Sequence, residues 1–290
     1  AAPLQPGQVV SPLPAELQQR VQNEIPAAAR ELAQLGVQRL LDYQDAAYVA
    51  HYLERLGSVV AVDHAAPDHA LSCAAARHLA LWMAFEDTFR VADLKARPER
   101  LARVRDEVGA APGQGLRVTE YLHPRVEEVC DSLPAALGAR VLASPLLRGL
   151  VERLVGRGRK LRSDTITGYL QLWLLARAGR RWRPRSLRFA REQQRIDVWL
   201  ETVRELAAND YDLAVELLRC QELVRGYGDT HARGWAAFAQ ILQSAVELTG
   251  RGDAAAQMAA LRAAALADER GEQLGEVLVT LERRQPQAAA

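Results

Sequence analysis

Lysine is nearly missing from this chain of 290 residues: of 37 basic residues only Lys95 and Lys160 are lysines, and the rest are arginine. Asparagine is equally scarce, with Asn23 and Asn209 alone. Together with abundant alanine this reads as the codon bias of a GC-rich bacterial genome, not as function. Cysteine is sparse too. Cys73, Cys130 and Cys220 lie far apart and none forms a C-x-x-C pair. That spacing excludes an iron–sulfur cluster ligated within the chain and fits a reducing cytosol, so a cytoplasmic protein is expected. Long apolar runs are missing as well. The longest, Thr165 to Ala176, is too short to span a bilayer and contains Gln171, so no membrane association is expected. The first residues lack a charged region followed by an apolar stretch, so no secretion signal is expected.

Other absences narrow the chemistry. There is no glycine-rich dinucleotide fingerprint, no P-loop and no Gly-x-Ser-x-Gly nucleophile motif. The tripeptide Gly228-Asp229-Thr230 departs from the Gly-Asp-Gly of thiamine diphosphate sites, and neither asparagine follows at a suitable distance. Excess charge of either sign is absent overall, because the formal net charge is +1. Its distribution is uneven, however. Residues 148–195 hold fourteen Arg or Lys against Glu152, Asp164 and Glu192, a net of +11, so the remainder carries −10. A basic middle in an acidic frame suits an anion or an acidic partner, or neutralises acidic neighbours within the fold.

Apolar residues make up 49% of the chain, enough for a large core, and their spacing is helical almost throughout. Helices are expected over roughly 15–35, 37–57, 69–95, 97–108, 124–131, 145–156, 164–178, 185–207, 211–225, 231–249, 253–268 and 271–284. Ser163 is expected to cap the helix after it, and Gly179 and Gly250 to end helices in left-handed turns. The one extended segment expected is Leu116–Leu122, after the break Gly109–Gly115. The fold class is therefore all-α, an irregular multi-helix bundle. Its expected parts are a proline-rich linker over 1–14, a helical subdomain over 15–110, a second over 111–250 with the basic segment, and terminal helices with a tail over 251–290. The prolines at the start suggest a linker cut from a longer polypeptide.

Several clusters carry chemical residue types. Arg225-Gly226-Tyr227-Gly228-Asp229-Thr230-His231-Ala232-Arg233-Gly234 joins two apolar-periodic segments and predicts a tight helix–turn–helix corner. Glycines at positive φ, a cap from Asp229 or Thr230, and Tyr227 packed under the turn account for most of it structurally. The same geometry offers a helix N-terminus with Arg225, Asp229, Thr230, His231 and Arg233 as an anion site for a phosphate or carboxylate. Asp63, His64, Asp68, His69, Cys73 and His78 are metal-ligand types without the compact spacing of a zinc site, so no metal is expected. Trp82, Phe85 and Phe89 form an aromatic stripe that predicts core. Tyr48, Tyr52 and Leu56 predict a packing face whose hydroxyls need partners, with Asp45 or a basic residue as candidates. The run Arg180, Arg181, Arg183 and Arg185 around Trp182 mixes basic and aromatic residues. No nucleic-acid module is recognisable there, so an interface or anion pocket is the expectation and a nucleic-acid partner is disfavoured.

Four stretches together carry a family resemblance. They are Leu41-Asp42-Tyr43-Gln44-Asp45-Ala46-Ala47-Tyr48, Leu81-Trp82-Met83-Ala84-Phe85-Glu86-Asp87 with Arg90-Val91-Ala92-Asp93-Leu94-Lys95, His123-Pro124-Arg125-Val126-Glu127-Glu128, and Gly226–Gly234. In that order the chain resembles the C-terminal helical region of the indolepyruvate ferredoxin oxidoreductase family, beta-subunit type. The resemblance implies a complex that oxidatively decarboxylates aryl 2-oxo acids to acyl-CoA in aromatic amino acid catabolism, with electrons passing to ferredoxin or a similar acceptor. It implies thiamine diphosphate, 4Fe-4S clusters and CoA on other domains, an alpha-type subunit and a gamma-type domain as partners, and no cofactor bound here. No catalytic residue carries over, since none of the family's cofactor motifs matches a position of this chain. The expected role is a non-catalytic helical domain that braces the assembly or shapes access to the active site. The alternative is a ligand-binding helical module that holds a CoA phosphate or carboxylate at the 225–234 corner.

Overall fold

Helix-forming residues at 3.6-residue spacing need a partner face to bury, and most of the helices find one. A computed structural model describes residues 12–64, 66–111, 114–122, 124–155, 158–268 and 270–283. Residues 1–11 of the expected linker, His123 and the end of the tail lie outside the described residues. The chain is all-α: among the described residues there are 15 α-helices and one two-stranded sheet. In chain order the elements are α1 (Ala15–Glu24), α2 (Arg30–Tyr43), α3 (Ala46–Val60), α4 (Ala70–Met83), α5 (Thr88–Ala96), α6 (Pro98–Glu107), β1 (Thr119–Leu122), α7 (Val126–Ser132), α8 (Ala135–Ala143), α9 (Pro145–Val155), β2 (Arg159–Arg162), α10 (Ile166–Trp182), α11 (Leu187–Ala207), α12 (Tyr211–Arg219), α13 (Gly228–Leu248), α14 (Ala254–Ala267) and α15 (Glu272–Arg283). Among the described residues no helix is long and apolar enough to cross a membrane.

Two compact units result. One comprises residues through Phe85 together with Arg195 onward, and the other Glu86–Gln194. The chain therefore divides at 85/86 and 194/195, not at 110/111 and 250/251. The Gly-rich break does not divide it because Lys95 and Arg100 before the break meet Glu120 beyond it, and α5 packs on α10 in the same unit.

In the first unit α4 packs against α2, α3 and α12. Trp82 sits at its centre, 4.9 Å from Trp199 and edge-on to Phe238 at 5.1 Å. Such aromatic pairs add about 0.5–1.5 kcal/mol each beyond the area they bury. The Trp199 indole donates to Leu217 O at 3.2 Å, so its polar atom is satisfied inside the core. Tyr48 and Tyr52 are buried as expected. Their hydroxyls donate to the backbone carbonyls of Met83 (2.9 Å) and Ala76 (2.8 Å), and not to Asp45 or a basic residue. Asp45 instead caps α3, accepting from Tyr48 N, and so splits the single helix expected over 37–57 into α2 and α3.

In the second unit α7, α8 and α9 close on a small core of Val126, Cys130 and Val141. Strands β1 and β2 pair antiparallel from Thr119 opposite Arg162 to Leu122 opposite Arg159; only β1 was expected. Glu120 on β1 accepts from Lys95 (2.6 Å) and meets Arg100. Burial opposes its charge, but those two cations win and hold the carboxyl below its usual range. The helix expected over 69–95 breaks before Asp87, whose side chain caps α5 by accepting from Arg90 N. Gly179 ends no helix. It lies within α10, where a Cβ would collide with Phe89, so it lets α10 approach α5 closely. Thr165, not Ser163, caps α10, accepting from Gly168 N at 3.2 Å. Gly250 does take positive φ, at 82°.

Candidate functional site

The corner between α12 and α13 forms as the glycine pattern predicts. A turn of 3-10 helix, Cys220–Leu223, ends α12. Gly226 at φ 73° and Gly228 at φ 61° then reverse the chain in conformations that favour glycine. Gly234 has a different job. A Cβ there would run into the carbonyl oxygen of Leu223, so α13 can approach the preceding turn only with glycine at this position.

The side chains are arranged otherwise than expected. Tyr227 is the residue preceding α13 and is exposed, so it does not pack under the turn. Neither Asp229 nor Thr230 caps the helix: both sit in its first turn, two and three residues past the cap position at Tyr227, and both are exposed. His231 is buried on the inner face with Phe238 and Ile241. Arg225, Thr230 and Arg233 line a groove of about 260 Å³. Asp229 and His231 are not among its lining residues, so the structure separates the five expected corner residues into two groups.

The opposite wall comes from the junction of α14 and α15, which the sequence reading left unremarked. Ala265, Leu266, Asp268, Arg270, Gly271 and Leu274 face the groove there. Asp268 is committed to its own backbone. It accepts from the N–H groups of Arg270 (2.8 Å), Glu272 (2.8 Å) and Gln273 (3.2 Å). The Arg270 amide chiefly, then the Gln273 amide, keep this carboxyl below its usual range. Gly271, at φ 80°, completes that turn. The tripeptide Asp268–Arg270 followed by Gly271 is a turn signal, but nothing in it foretells a position beside residue 225 or 233.

A second basic site lies in the other unit. Arg180, Arg181 and Arg185 are exposed, and Arg181 and Arg185 line an open surface depression with Phe89 and Trp182. Arg183 does not belong to this surface. It is buried, with Nε 2.6 Å from Asp87 Oδ2 and Nη2 3.3 Å from Asp87 Oδ1. Part of the +11 excess is likewise neutralised at home, as Arg188 and Arg191 meet Asp131 and Arg148 meets Glu127.

Two helices of that unit leave apolar side chains uncovered. On α9, Leu146, Leu150 and Leu154 recur every fourth residue and are all exposed. On α10, Ile166, Tyr169, Leu170, Trp173 and Leu174 are exposed along one face, while Leu172, Gly168 and Gly179 face the protein. The 100° step per residue places Arg177, Arg180 and Arg181 on the same outer face one and two turns later. Arg177 already stands over the Trp173 ring, 5.7 Å from its centroid.

The residues of metal-ligand type are dispersed. Asp63 is a buried hydrogen-bond hub. It accepts from Ser72 N at 3.0 Å, from the Ser72 hydroxyl and from the Tyr211 hydroxyl at 2.8 Å, with His69 Nδ1 at 3.4 Å. His69 holds the one positive φ among described non-glycine residues, 51°, directly before α4. His78 is remote from this hub and meets Gln221 Oε1 at 3.2 Å in the core. Among the described residues no group of three or more His, Cys, Asp or Glu is placed to hold a metal ion.

A family described as "Family of unknown function (DUF6537)" matches residues 29–244, most of the chain. The span includes all of the second unit together with Arg225 and Arg233, and stops before Arg270. No curated protein and no solved structure matches.

Proposed function

The chain belongs to the DUF6537 family, and from that premise we propose that it is a non-catalytic assembly domain of a thiamine diphosphate-dependent 2-oxoacid oxidoreductase of the indolepyruvate ferredoxin type. The resemblance of its four motif stretches supports the enzyme class. The observation that carries the assembly role is the outer face of α10, apolar over its first turns and basic over its last. An exposed tryptophan, tyrosine and three aliphatic residues along one helix are costly to leave in water, and patches of this kind mark protein contacts. Tryptophan, tyrosine and arginine are also the side chains that dominate binding energy at such contacts. The domain would hold the alpha-type subunit through this face, with arginines against acidic residues of the partner.

Reconstitution of the complete oxidoreductase tests the reading. Replacing Arg180, Arg181 and Arg185 by glutamine, or Trp173 by glutamate, is expected to release the partner in size-exclusion chromatography. Turnover should fall in parallel while the helical circular dichroism stays intact. The arginine effect should be imitated by raising salt in the native complex, because exposed charges are screened over about 10 Å at 0.1 M. Assembly and turnover unchanged by both sets of substitutions would remove this role. Arg183 is left in place because its loss would strand Asp87 inside the protein.

A further inference from the structure

The outer face of α10 carries a seam of helical period. Ile166, Leu170, Trp173, Arg177 and Arg180 are all exposed and recur at alternating steps of four and three residues. That repeat averages about 3.5 residues, the period at which one helix keeps a seam turned toward another. The seam runs about 21 Å along the helix axis. Tyr169 and Leu174 stand exposed on either side of it and frame the holes between its ridges. Its two halves differ in chemistry. In the first half Ile166, Leu170 and Leu174 offer no hydrogen-bonding group to an unpaired backbone. An occupant there has to satisfy its backbone internally, which a helix does and a single strand or a loop does not. The second half is cationic, with Arg177 and Arg181 exposed in the last turns of α10.

We propose that the alpha-type subunit lays an amphipathic helix antiparallel along α10. Its apolar stripe covers Ile166, Leu170 and Trp173, and aspartate or glutamate residues of its first turns face Arg177 and Arg181. This rests on the assembly role proposed above and adds the kind, the direction and the charge of the partner's element. Direction follows from electrostatics. Carboxylates are favourable near the N-terminus of a helix and unfavourable near its C-terminus. The acids that meet Arg177 and Arg181 therefore belong to the N-terminal turns of the partner helix, so that helix runs opposite to α10. Trp173 lies midway along the seam as a large, rigid anchor of the kind that dominates binding energy at protein contacts. The Arg177 guanidinium stands over its ring, 5.7 Å from the centroid. That stacking holds Arg177 along the seam, so less side-chain freedom is lost when an acid pairs with it.

Photocrosslinking in the reconstituted oxidoreductase supplies the test. The probe p-benzoylphenylalanine is placed at Ile166 or at Arg181, and the captured partner peptide is read by mass spectrometry. Both positions are expected to capture residues of one partner helix. The residue captured from Arg181 should precede the one captured from Ile166 by about fifteen residues, the number that spans the seam on an antiparallel helix. Aspartate or glutamate should lie within one turn of it. Reversing the charges with Arg177→Glu and Arg181→Glu should weaken assembly on the order of a hundredfold, since like charges then face each other. Lysine in place of the captured acids should restore assembly. Capture in the opposite order, or from two segments remote in sequence, would overturn the antiparallel helix while leaving the assembly role of α10 in place. So would charge reversal that the lysines fail to rescue. Absence of capture from either position in an intact complex would remove both the helix and the role.

Discussion

His78 shows what burial does to a single ionisable side chain here. It is enclosed between α4 and the turn after α12, with Nδ1 donating to Gln221 Oε1 in the neutral state. Burial lowers its pKa from 6.5 to about 4; the bond to Gln221 works the other way, and Arg77, Arg219 and Arg262 lower it further. The unfolded chain therefore binds a proton at this ring more readily than the folded one. Stability from this group is complete above pH 6.5 and drains away as pH falls toward 4, by about 3 kcal/mol in all. Urea titrations at pH 7 and pH 4.5 should show that loss, and the His78→Gln variant should show a smaller one. Equal pH dependence in the two proteins would contradict the assignment. The same burial makes Cys220 a poor nucleophile: its thiol is pushed up to about 12, and reagents should reach it only on unfolding. Its role is packing. No pattern around Cys220 or His78 announces either state, because burial depends on which helices close over them.

At the scale of elements, α10 carries apolar side chains on both its buried and its exposed face. Its inner face reaches α5 through Gly168, Leu172 and Gly179, and the absence of a side chain at Gly179 admits Phe89. Its outer face and that of α9 keep leucine, tryptophan and isoleucine in water. A helix buried along one narrow stripe opens more readily than one enclosed on all sides. In the chain alone, amide hydrogens of α9 and α10 are expected to exchange faster than those of α4, whose neighbours lie on three sides. On the assembly role proposed above, the exchange of α10 should slow when the partner subunit binds. Exchange in α10 as slow as in α4 before assembly would mean its outer face is already stable without a partner. The apolar residues of α10 are plain in the sequence, and 3.6-residue periodicity places them on a helix. Which of two apolar faces lies inward was not legible, since Gly179 reads equally well as a helix end.

At the scale of the molecule, the chain leaves one compact unit after Phe85 and re-enters it at Arg195. The second unit is thus an insertion in the first, with its own small core and a buried ion pair, Asp87 with Arg183. Losing one partner of such a pair leaves an uncompensated charge inside the protein, a cost of about 3–5 kcal/mol. Asp87→Asn should still cap α5 yet destabilise Glu86–Gln194 by about that amount. In calorimetry this should appear as a shift of one component of the unfolding curve, with the tryptophan signal of Trp82 and Trp199 changing at its original temperature. A single transition moving as a whole would show that the two units unfold together.

The corner was visible in the sequence because glycine spacing and helix periodicity are local properties, and Gly226 and Gly228 do turn the chain where expected. The side-chain roles at the corner were less legible: the helix starts at Gly228, three residues before the expected 231, which moves Asp229 and Thr230 from cap to first turn.

What the sequence determined by itself is the helical class, the position of the corner and the uneven charge along the chain. Each follows from residues within a few turns of one another. The tertiary structure alone decided that Arg270 joins Arg225 and Arg233 around one groove, that Arg183 is buried against Asp87, and that the division falls at 85/86 and 194/195. Those outcomes depend on contacts between residues dozens of positions apart, which are set by which apolar faces meet and how closely glycine lets them approach.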